Sequence, residues 1–164
     1  MTIEPAQEAD LPAILKIQKQ AFLNEAQIYR SCRIGPLQET PEDIRAEFGR
    51  KLFLKAVENG RVTGSVRGCQ KNGVCEIEKL SVEPESQNLG IGKALMHAIE
   101  ERFKEVSRYA LVTGLRSEKN LSFYRKLGYE LVRTEQAESE GGFAYFEKVR
   151  SQAEGTVLSS QETT

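Results

Sequence analysis

The sequence predicts an α/β fold in which helices pack on one mixed β-sheet (α+β). Three apolar runs in the middle of the chain, at 52–57, 62–69 and 74–82, are separated by short turns and predict an antiparallel meander. Helical periodicity precedes this meander, and helices alternate with strands after it. Because 164 residues are too few for two ordinary domains, we expect one domain with one core.

A short strand at 2–6 and two helices are predicted before the meander. Asp10 is expected to be the N-cap of the first helix, with Pro12 in its first turn. Its apolar positions are Leu11, Ile14, Leu15, Ala21 and Phe22. The pattern then dissolves, so 25–39 is predicted to be a loop. Thr40, followed by Pro41, indicates the start of the second helix.

Turn residues predict how the later elements connect. Asn59-Gly60 and Asn72-Gly73 indicate tight hairpin turns, and Cys69 and Cys75 are expected to face each other across the second one. The remaining predicted elements are a helix with apolar residues at Ile91, Leu95, Ala98, Ile99 and Phe103, a strand at 109–113, a short helix from Asn120, strands at 129–134 and 143–149, and an acidic loop at 135–142 between them.

The stretch from Gln87 to Met96 is the most informative in the chain. It follows a predicted strand, and its two glycines, Gly90 and Gly92, let the backbone turn sharply into a helix. Such a turn points several free N–H groups and the positive end of the helix dipole at one spot, which favours a phosphate. The third glycine of a dinucleotide fingerprint is replaced by Leu95, and the Gly-Lys-Ser/Thr of a P-loop is missing. A cradle for another phosphate group remains.

A second motif lies one helix and one strand further on, from Asn120 to Tyr129. It is predicted to be a short helix that ends at Gly128, where a left-handed residue is favoured. Asn120 and Tyr124 are four residues apart and therefore share one face of this helix.

The two motifs, taken together, resemble the signatures of the GNAT superfamily of N-acetyltransferases. The first resembles the acyl-coenzyme A pyrophosphate loop, Gln/Arg-x-x-Gly-x-Gly/Ala, and the second the pattern Asn-x-x-aromatic-Tyr-x-Lys/Arg-x-Gly-aromatic. The predicted order β-α-α-β-β-β-α-β-α-β-β is also that of the GNAT fold. The resemblance covers residues 1–150, and the polar stretch 151–164 is predicted to be a disordered tail.

Acetyl transfer to an amine needs a base, because a lysine-like ammonium has a pKa near ~10.4. Glu76 and Glu78 lie on the predicted strand before the cradle, and alternation places both on one face. In some GNAT relatives the base glutamate stands eleven residues before the cradle glutamine, which here is Glu76. Glu78 is the alternate candidate, and an ordered water alone could also do this work.

The resemblance implies that acetyl-CoA is the co-substrate and that no metal is needed. Tyr124 is implied as the acid that returns a proton to the leaving thiolate. The residues implied in cofactor binding are Leu80, Ser81 and Val82 on the strand, Gln87, Asn88, Leu89, Gly90, Ile91, Gly92, Lys93 and Ala94 in the cradle, and Asn120, Phe123 and Tyr124 on the later helix. An N–H near Leu80 or Ser81 is implied as the donor to the developing oxyanion.

Composition narrows the class of protein. The 23 basic and 24 acidic residues nearly balance, and no basic cluster is visible, so neither nucleic acid nor an anionic membrane is an expected partner. No apolar run is long enough to span a membrane, and the start of the chain is not a signal peptide. Three cysteines without metal-ligand spacing fit a reducing compartment, and a cytoplasmic protein is expected.

The acceptor stays open at this level. Arg30 and Arg33 could hold an acidic substrate, whereas Glu135, Glu138 and Glu140 could attract a cationic one. The predicted function is therefore N-acetyl transfer to a primary amine of a small molecule or peptide. The alternative is a non-catalytic acyl-coenzyme A-binding sensor or partner-binding module. A homodimer through an exposed last strand is possible.

Overall fold

The computed structural model describes residues 1–29, 35–136 and 141–150. Its centre is a seven-stranded mixed sheet with the strand order β1-β2-β3-β4-β5-β7-β6. The strands are β1 (Thr2–Pro5), β2 (Leu52–Glu58), β3 (Arg61–Lys71), β4 (Val74–Val82), β5 (Arg108–Gly114), β6 (Glu130–Glu135) and β7 (Phe143–Val149). The α/β fold and the predicted succession of strands along the chain are confirmed.

The helices are α1 (Leu11–Tyr29), α2 (Gly35–Gln38), α3 (Pro41–Phe48), α4 (Ile91–Arg102) and α5 (Glu118–Lys126). The loop predicted at 25–39 is therefore wrong at both ends, since α1 continues to Tyr29 and α2 lies within it. Residues 24–29 contain no Gly or Pro, and their Glu, Ala and Gln are good helix formers. The helix continues there on backbone propensity although its apolar pattern has faded.

The starts of the two N-terminal helices differ from one another. Asp10 is not an N-cap: it ends a single 3₁₀ turn, Glu8–Asp10, whose own N-cap is Gln7. The Asp10 carboxylate accepts from the Gln7 N–H (2.7 Å) and binds Lys55 (2.8 Å). Thr40 caps α3 as predicted, because its hydroxyl accepts from the Asp43 N–H at 3.1 Å.

The second hairpin corrects the prediction for the cysteines. Its two-residue turn pairs Lys71 with Val74, so Cys69 lies opposite Glu76 and Cys75 lies opposite Gln70. The two thiols therefore point to opposite faces of the sheet. Burial raises the pKa of Cys75 to about 12, so this thiol stays protonated.

Apolar side chains fill both faces of the sheet. One cluster lies between the sheet and α4, with Leu95, Met96 and Ile99 fully buried, and the other joins α1 and α3 to Phe53. Gly64 and Gly68 let α4 lie close to β3, because a Cβ on Gly68 would come within 2.9 Å of Ile99. The sheet therefore holds α4, with its N-terminal turn, firmly in place.

The edges of the sheet are β1 and β6, so the last strand, β7, lies inside the sheet and is not the expected edge. The reason is that β7 pairs with β5 along its whole length and with β6 on its other side. Among the described residues, no helix is both long and apolar enough to cross a membrane.

Candidate active site

A split in the middle of the sheet forms a large cavity. The strands β4 and β5 run parallel but pair only over residues 74–76 and 108–110, after which they diverge. On its other side β4 pairs with β3 through a bulge, where the register shifts opposite 65–67 and Lys79 has a positive φ of 54°. The bulge bends β4 away from β5. The resulting cavity has a volume of about 930 Å³.

One end of this cavity is the N-terminus of α4. Asn88 and Gly90 both have left-handed backbone, with φ of 65° and 87°, and α4 begins at Ile91. Gly90 has no side chain to cap the helix, and the first helical bond is the one from Ala94 N–H to Gly90 O at 3.0 Å. The N–H groups of residues 91–93 therefore stay available to an anion, whereas that of Ala94 does not. The Ala94 N–H, which was predicted to belong with these donors, is therefore used within the helix.

The turn before α4 is held by polar contacts. The buried Glu83 carboxylate accepts from the Ser86 hydroxyl at 2.7 Å and pairs with Arg61. Burial would raise the pKa of Glu83, but Ser86 and Arg61 outweigh this effect and lower it. Gln87 then donates to the Val82 carbonyl at 3.0 Å. This bond ties the cradle to the end of β4.

Gln87 also has a partner outside the turn. Its side-chain carbonyl accepts from Lys119 Nζ, which lies 3.3 Å away at the start of α5. Lys119 and Lys93 both line the cavity. This end of the cavity therefore combines helix N–H groups with two ammonium groups, which suits a phosphate ligand.

Glu76 and Glu78 lie on the same face of β4, as predicted, because their partners on β3 are Cys69 and Arg67. Their environments differ. Glu78 binds Lys51 at 2.8 Å, whereas Glu76 is exposed and has no ion pair within the described part of the chain. Burial would lower the pKa of Lys51, but Glu78 and Glu47 outweigh this effect and raise it. Glu78 is therefore held in a stable ion pair.

The helix α5 presents the residues of the second motif. Tyr124 is half-buried, and its ring lies 5.1 Å from that of Phe123 and 6.1 Å from that of Tyr129, edge to face. Asn120 Nδ2 donates to Thr113 Oγ1 on β5 at 3.4 Å. The chain leaves the helix through Gly128, whose φ is 95°, as predicted.

Most of the residues predicted for the site lie around the one cavity. Those that line it are Glu76, Glu78, Leu80, Val82, Gln87, Asn88, Gly90, Ile91, Gly92, Lys93, Asn120, Phe123 and Tyr124. Ser81 is buried, with its hydroxyl donating to Lys79 O, and the Leu89 side chain is 70% exposed. These two residues, like Ala94, do not line the cavity.

Sequence reasoning missed lining residues on several elements, among them Ala21 and Phe22 on α1 and Lys119 on α5. Three further kinds show why. Val112 and Thr113 of β5 form the wall opposite β4, Tyr145 and Glu147 come from β7, and Lys79 lies at the bulge. The first two kinds depend on strand order. The bulge has no local signal in the sequence, because a non-glycine residue with positive φ is uncommon.

The charges considered for the acceptor are only partly described. Glu135 is bound by Arg133 at 3.3 Å and accepts from the Tyr145 hydroxyl at 3.1 Å. It is therefore neutralised by contacts within the β6–β7 hairpin. The other four charges, Arg30, Arg33, Glu138 and Glu140, lie outside the described residues, as does the stretch 151–164.

Comparison with known proteins adds three findings. A profile of the acetyltransferase (GNAT) family matches residues 22–129, more than half of the chain. The Bacillus subtilis UPF0157 protein YqkA is 27% identical over 124 residues, which are 76% of this chain but only 36% of YqkA. The chain thus spans about a third of the length of that relative.

Solved structures share the fold. The ribosomal-protein-S18-alanine N-acetyltransferase from Escherichia coli has a TM-score of 0.76 at 17% identity, covering 92% of this chain and 94% of its own. A GNAT superfamily phosphinothricin acetyltransferase from Sinorhizobium meliloti, solved in complex with AcCoA, has a TM-score of 0.75 at 22% identity, covering 92% and 89%.

Proposed function

Because the chain belongs to the acetyltransferase (GNAT) family, we propose that it transfers the acetyl group of acetyl-CoA to a primary amine of a small molecule or peptide, by direct attack in a ternary complex. One observation carries this proposal above the others. The split between β4 and β5 leads from the uncapped N-terminus of α4 to Glu76, with Tyr124 on its wall. An anion site, a base and an acid therefore border one cavity.

The cradle fits the pyrophosphate of the co-substrate. The N–H groups of residues 91–93 point outward from the start of α4, and the helix dipole favours negative charge there. Because Gly92 has no side chain, the pyrophosphate can come close to its backbone. A Cβ at this position would lie between the ligand and the Phe123 ring, 3.4 Å from the ring. Lys93 adds a positive charge. Beyond residue 76, the backbone of β4 has no partner on β5 within the described residues, so Leu80 and Val82 can pair with an extended ligand arm.

Glu76 is the better candidate for the base. Its carboxylate lines the cavity without an ion pair among the described residues, whereas that of Glu78 is held by Lys51. Glu76 takes one proton from the substrate ammonium, directly or through a water, because only the neutral amine has a lone pair with which to attack. Ammonium groups of this kind have a pKa near ~10.4, so few are neutral at pH 7 without such help.

The other end of the reaction involves Tyr124. As the nitrogen forms its bond to the carbonyl carbon, an N–H of Leu80 or Ser81 donates to the oxygen that becomes negative. The carbon–sulfur bond then breaks, and the Tyr124 hydroxyl gives its proton to the thiolate. The nitrogen that has attacked still carries an extra proton, which it gives to the Tyr124 phenolate. Two protons therefore leave the nitrogen: Glu76 passes the first to water, and the second restores the tyrosine that protonated the thiolate.

An amine screen tests this function. Wild-type protein is mixed with acetyl-CoA and a panel of small amines and peptides, and free thiol is measured. Glu76→Gln should lower kcat/KM by about 10²-fold or more, and Tyr124→Phe should lower kcat by about 10²-fold. Glu78→Gln is the matched control on the same strand and should have a smaller effect.

Binding of the co-substrate separates the possible failures of this proposal. The Kd for acetyl-CoA, measured by calorimetry, should stay within about twofold in both glutamate variants, because neither lies at the cradle. If the wild type binds acetyl-CoA but acetylates no amine, the result favours the alternative hypothesis, a non-catalytic acyl-coenzyme A-binding module. If neither acetyl-CoA nor coenzyme A binds, the proposed function is wrong although the fold is right.

A further inference from the structure

A buried charge cluster lies beside the base-bearing strand. The side chain of Arg67 on β3 is only 1% exposed, and its guanidinium donates to both carboxylate oxygens of Glu39, at 2.6 and 3.0 Å. It also donates to Gln18 Oε1 at 2.7 Å, and Gln18 in turn donates to Glu39 at 3.2 Å. We call these three residues, Arg67, Glu39 and Gln18, the Arg67 cluster.

Stability alone does not account for this cluster. Burying an ion pair gains little over well-packed apolar side chains, because both ions must be desolvated. Among the described residues, neither Arg67 Nε nor the nearby Ser65 hydroxyl has a hydrogen-bond partner, although both are buried. Each such group costs free energy relative to an apolar residue. A cluster with this cost needs another role.

The cluster joins three parts of the chain that surround one end of the cavity. Gln18 lies on α1 one turn before Ala21 and Phe22, which line the cavity. Glu39 lies between α2 and α3, and its carboxylate is 3.9 Å from Lys79 Nζ at the β4 bulge. These contacts connect α1 to the bulge through Glu39, which Arg67 holds with two hydrogen bonds.

The cluster also lies next to the candidate base. Arg67 is the cross-strand partner of Glu78, and Glu76 follows on the same face of β4. The Arg67 guanidinium turns to Glu39 and stacks on the Phe53 ring, 4.5 Å from its centroid. It therefore fixes the wall around the carboxylates and leaves Glu76 clear to meet a substrate.

We propose that Arg67 is a positioning residue for the acceptor amine. Through Glu39 it holds the cavity-lining turn of α1 against the β4 bulge, so that the acceptor meets Glu76 in the right place. This inference rests on the proposed acetyl transfer. The cradle for the co-substrate follows the end of β4 and shares no residue with the cluster, so binding of the pyrophosphate does not depend on the cluster.

The test uses two changes in the cluster and one control. Glu39→Gln removes the charge but keeps the size of the side chain. The double variant Arg67→Met, Glu39→Leu replaces the pair by apolar groups and keeps the core filled, which guards against simple unfolding. Glu100→Gln is the matched control, because Glu100 is bound by Lys148 at 2.9 Å and Tyr129 at 2.8 Å and does not line the cavity.

Three quantities are measured: the KM for the best amine of the screen, the Kd for acetyl-CoA, and amide hydrogen exchange in residues 18–23 and 76–79. Both cluster variants should raise the amine KM by about tenfold or more, because small displacements of a bound reactant are costly. The Kd should stay within about twofold. Exchange should become faster in those two segments, and Glu100→Gln should leave all three quantities unchanged.

Two results would overturn the proposal. One is an unchanged amine KM and unchanged exchange in both cluster variants. The other is an equal rise in amine KM for Glu100→Gln, which would indicate a general loss of stability. If the wild type acetylates no amine, the proposed function fails separately, and hydrogen exchange alone then decides. Faster exchange confined to the two segments supports the coupling, and unchanged exchange rejects it.

Discussion

A negative charge placed in the cradle should weaken coenzyme binding strongly and still leave the fold intact. The change is Gly92→Asp, at the second residue of α4. Gly92 is preferable to Gly90, because Gly90 has a φ of 87° and any side chain there is strained. A Cβ on Gly92 meets only the Phe123 ring at 3.4 Å and Val82 at 3.8 Å, which are ordinary contacts.

The expected size of the effect follows from charge. A carboxylate roughly 5 Å from one phosphate charge, at an effective dielectric constant of about 20, is repelled by about 3 kcal/mol. Gly92 is half-buried, so solvent reduces this to about 2–3 kcal/mol, or about a 30- to 150-fold rise in the Kd for acetyl-CoA. The same carboxylate in the first turn of a helix should stabilise the fold by about 0.3–1 kcal/mol. Binding and stability should thus change in opposite directions.

Calorimetric titration with acetyl-CoA and a thermal unfolding curve measure the two effects. Gly92→Ala tests the added bulk, and His97→Asp places the same charge on an exposed position of the same helix. Raising the salt concentration should narrow the gap between Gly92→Asp and Gly92→Ala, because screening weakens repulsion but not contact. Wild-type affinity in a folded Gly92→Asp protein would refute the pyrophosphate site.

The other predictions concern stability and the turn before α4. Gly68→Ala should lower the free energy of unfolding, measured in urea, by about 1–3 kcal/mol, because its Cβ would come within 2.9 Å of Ile99. Gly49→Ala is the control and should be nearly neutral, so equal effects of the two changes would contradict the close packing of α4 on β3. Gln87→Ala removes the hydrogen bond to the Val82 carbonyl and should weaken acetyl-CoA binding several-fold, by about 1 kcal/mol, with little change in Tm. An unchanged Kd would show that this bond does not support the binding site. For Glu39, burial would raise the pKa, but its buried guanidinium partner outweighs this effect and holds the pKa below the ordinary 4.5. The Glu39 carboxylate therefore binds a proton more readily in the unfolded chain than in the folded protein. Its contribution to the free energy of unfolding is present above about pH 4.5 and is lost as the pH falls through the lowered pKa. Urea midpoints measured at decreasing pH should fall less steeply for Glu39→Gln than for the wild type, and parallel curves would contradict this prediction.

Local patterns were enough for much of the fold. Paired Asn-Gly turns placed the hairpins, and both turns have the positive φ values that this sequence favours, at Asn59, Gly60, Asn72 and Gly73. The family resemblance, which is confirmed, came from two short motifs. Such features can be read from the sequence because each depends on residues only a few positions apart.

Local reasoning failed where the cause was weak or distant. The end of α1 was misplaced because its last turns keep helical propensity without an apolar stripe. Cys69 and Cys75 were wrongly expected to face each other, because a shift of one residue in the register of two strands moves a side chain to the other face of the sheet. The role of β7 inside the sheet depends on strand order, which no single strand encodes.

The sequence by itself determined the family, the glycine turn that begins α4 and the placement of two carboxylates on one face of β4. Glycine placement and alternation are properties of neighbouring residues, so they survive without any tertiary information. Only the tertiary structure distinguished Glu76 from Glu78, since Lys51 is distant in the chain and, of these two carboxylates, pairs with that of Glu78. It also decided the bulge at Lys79 and the burial of Arg67 against Glu39, because both arise from strand register and helix packing between segments far apart in sequence.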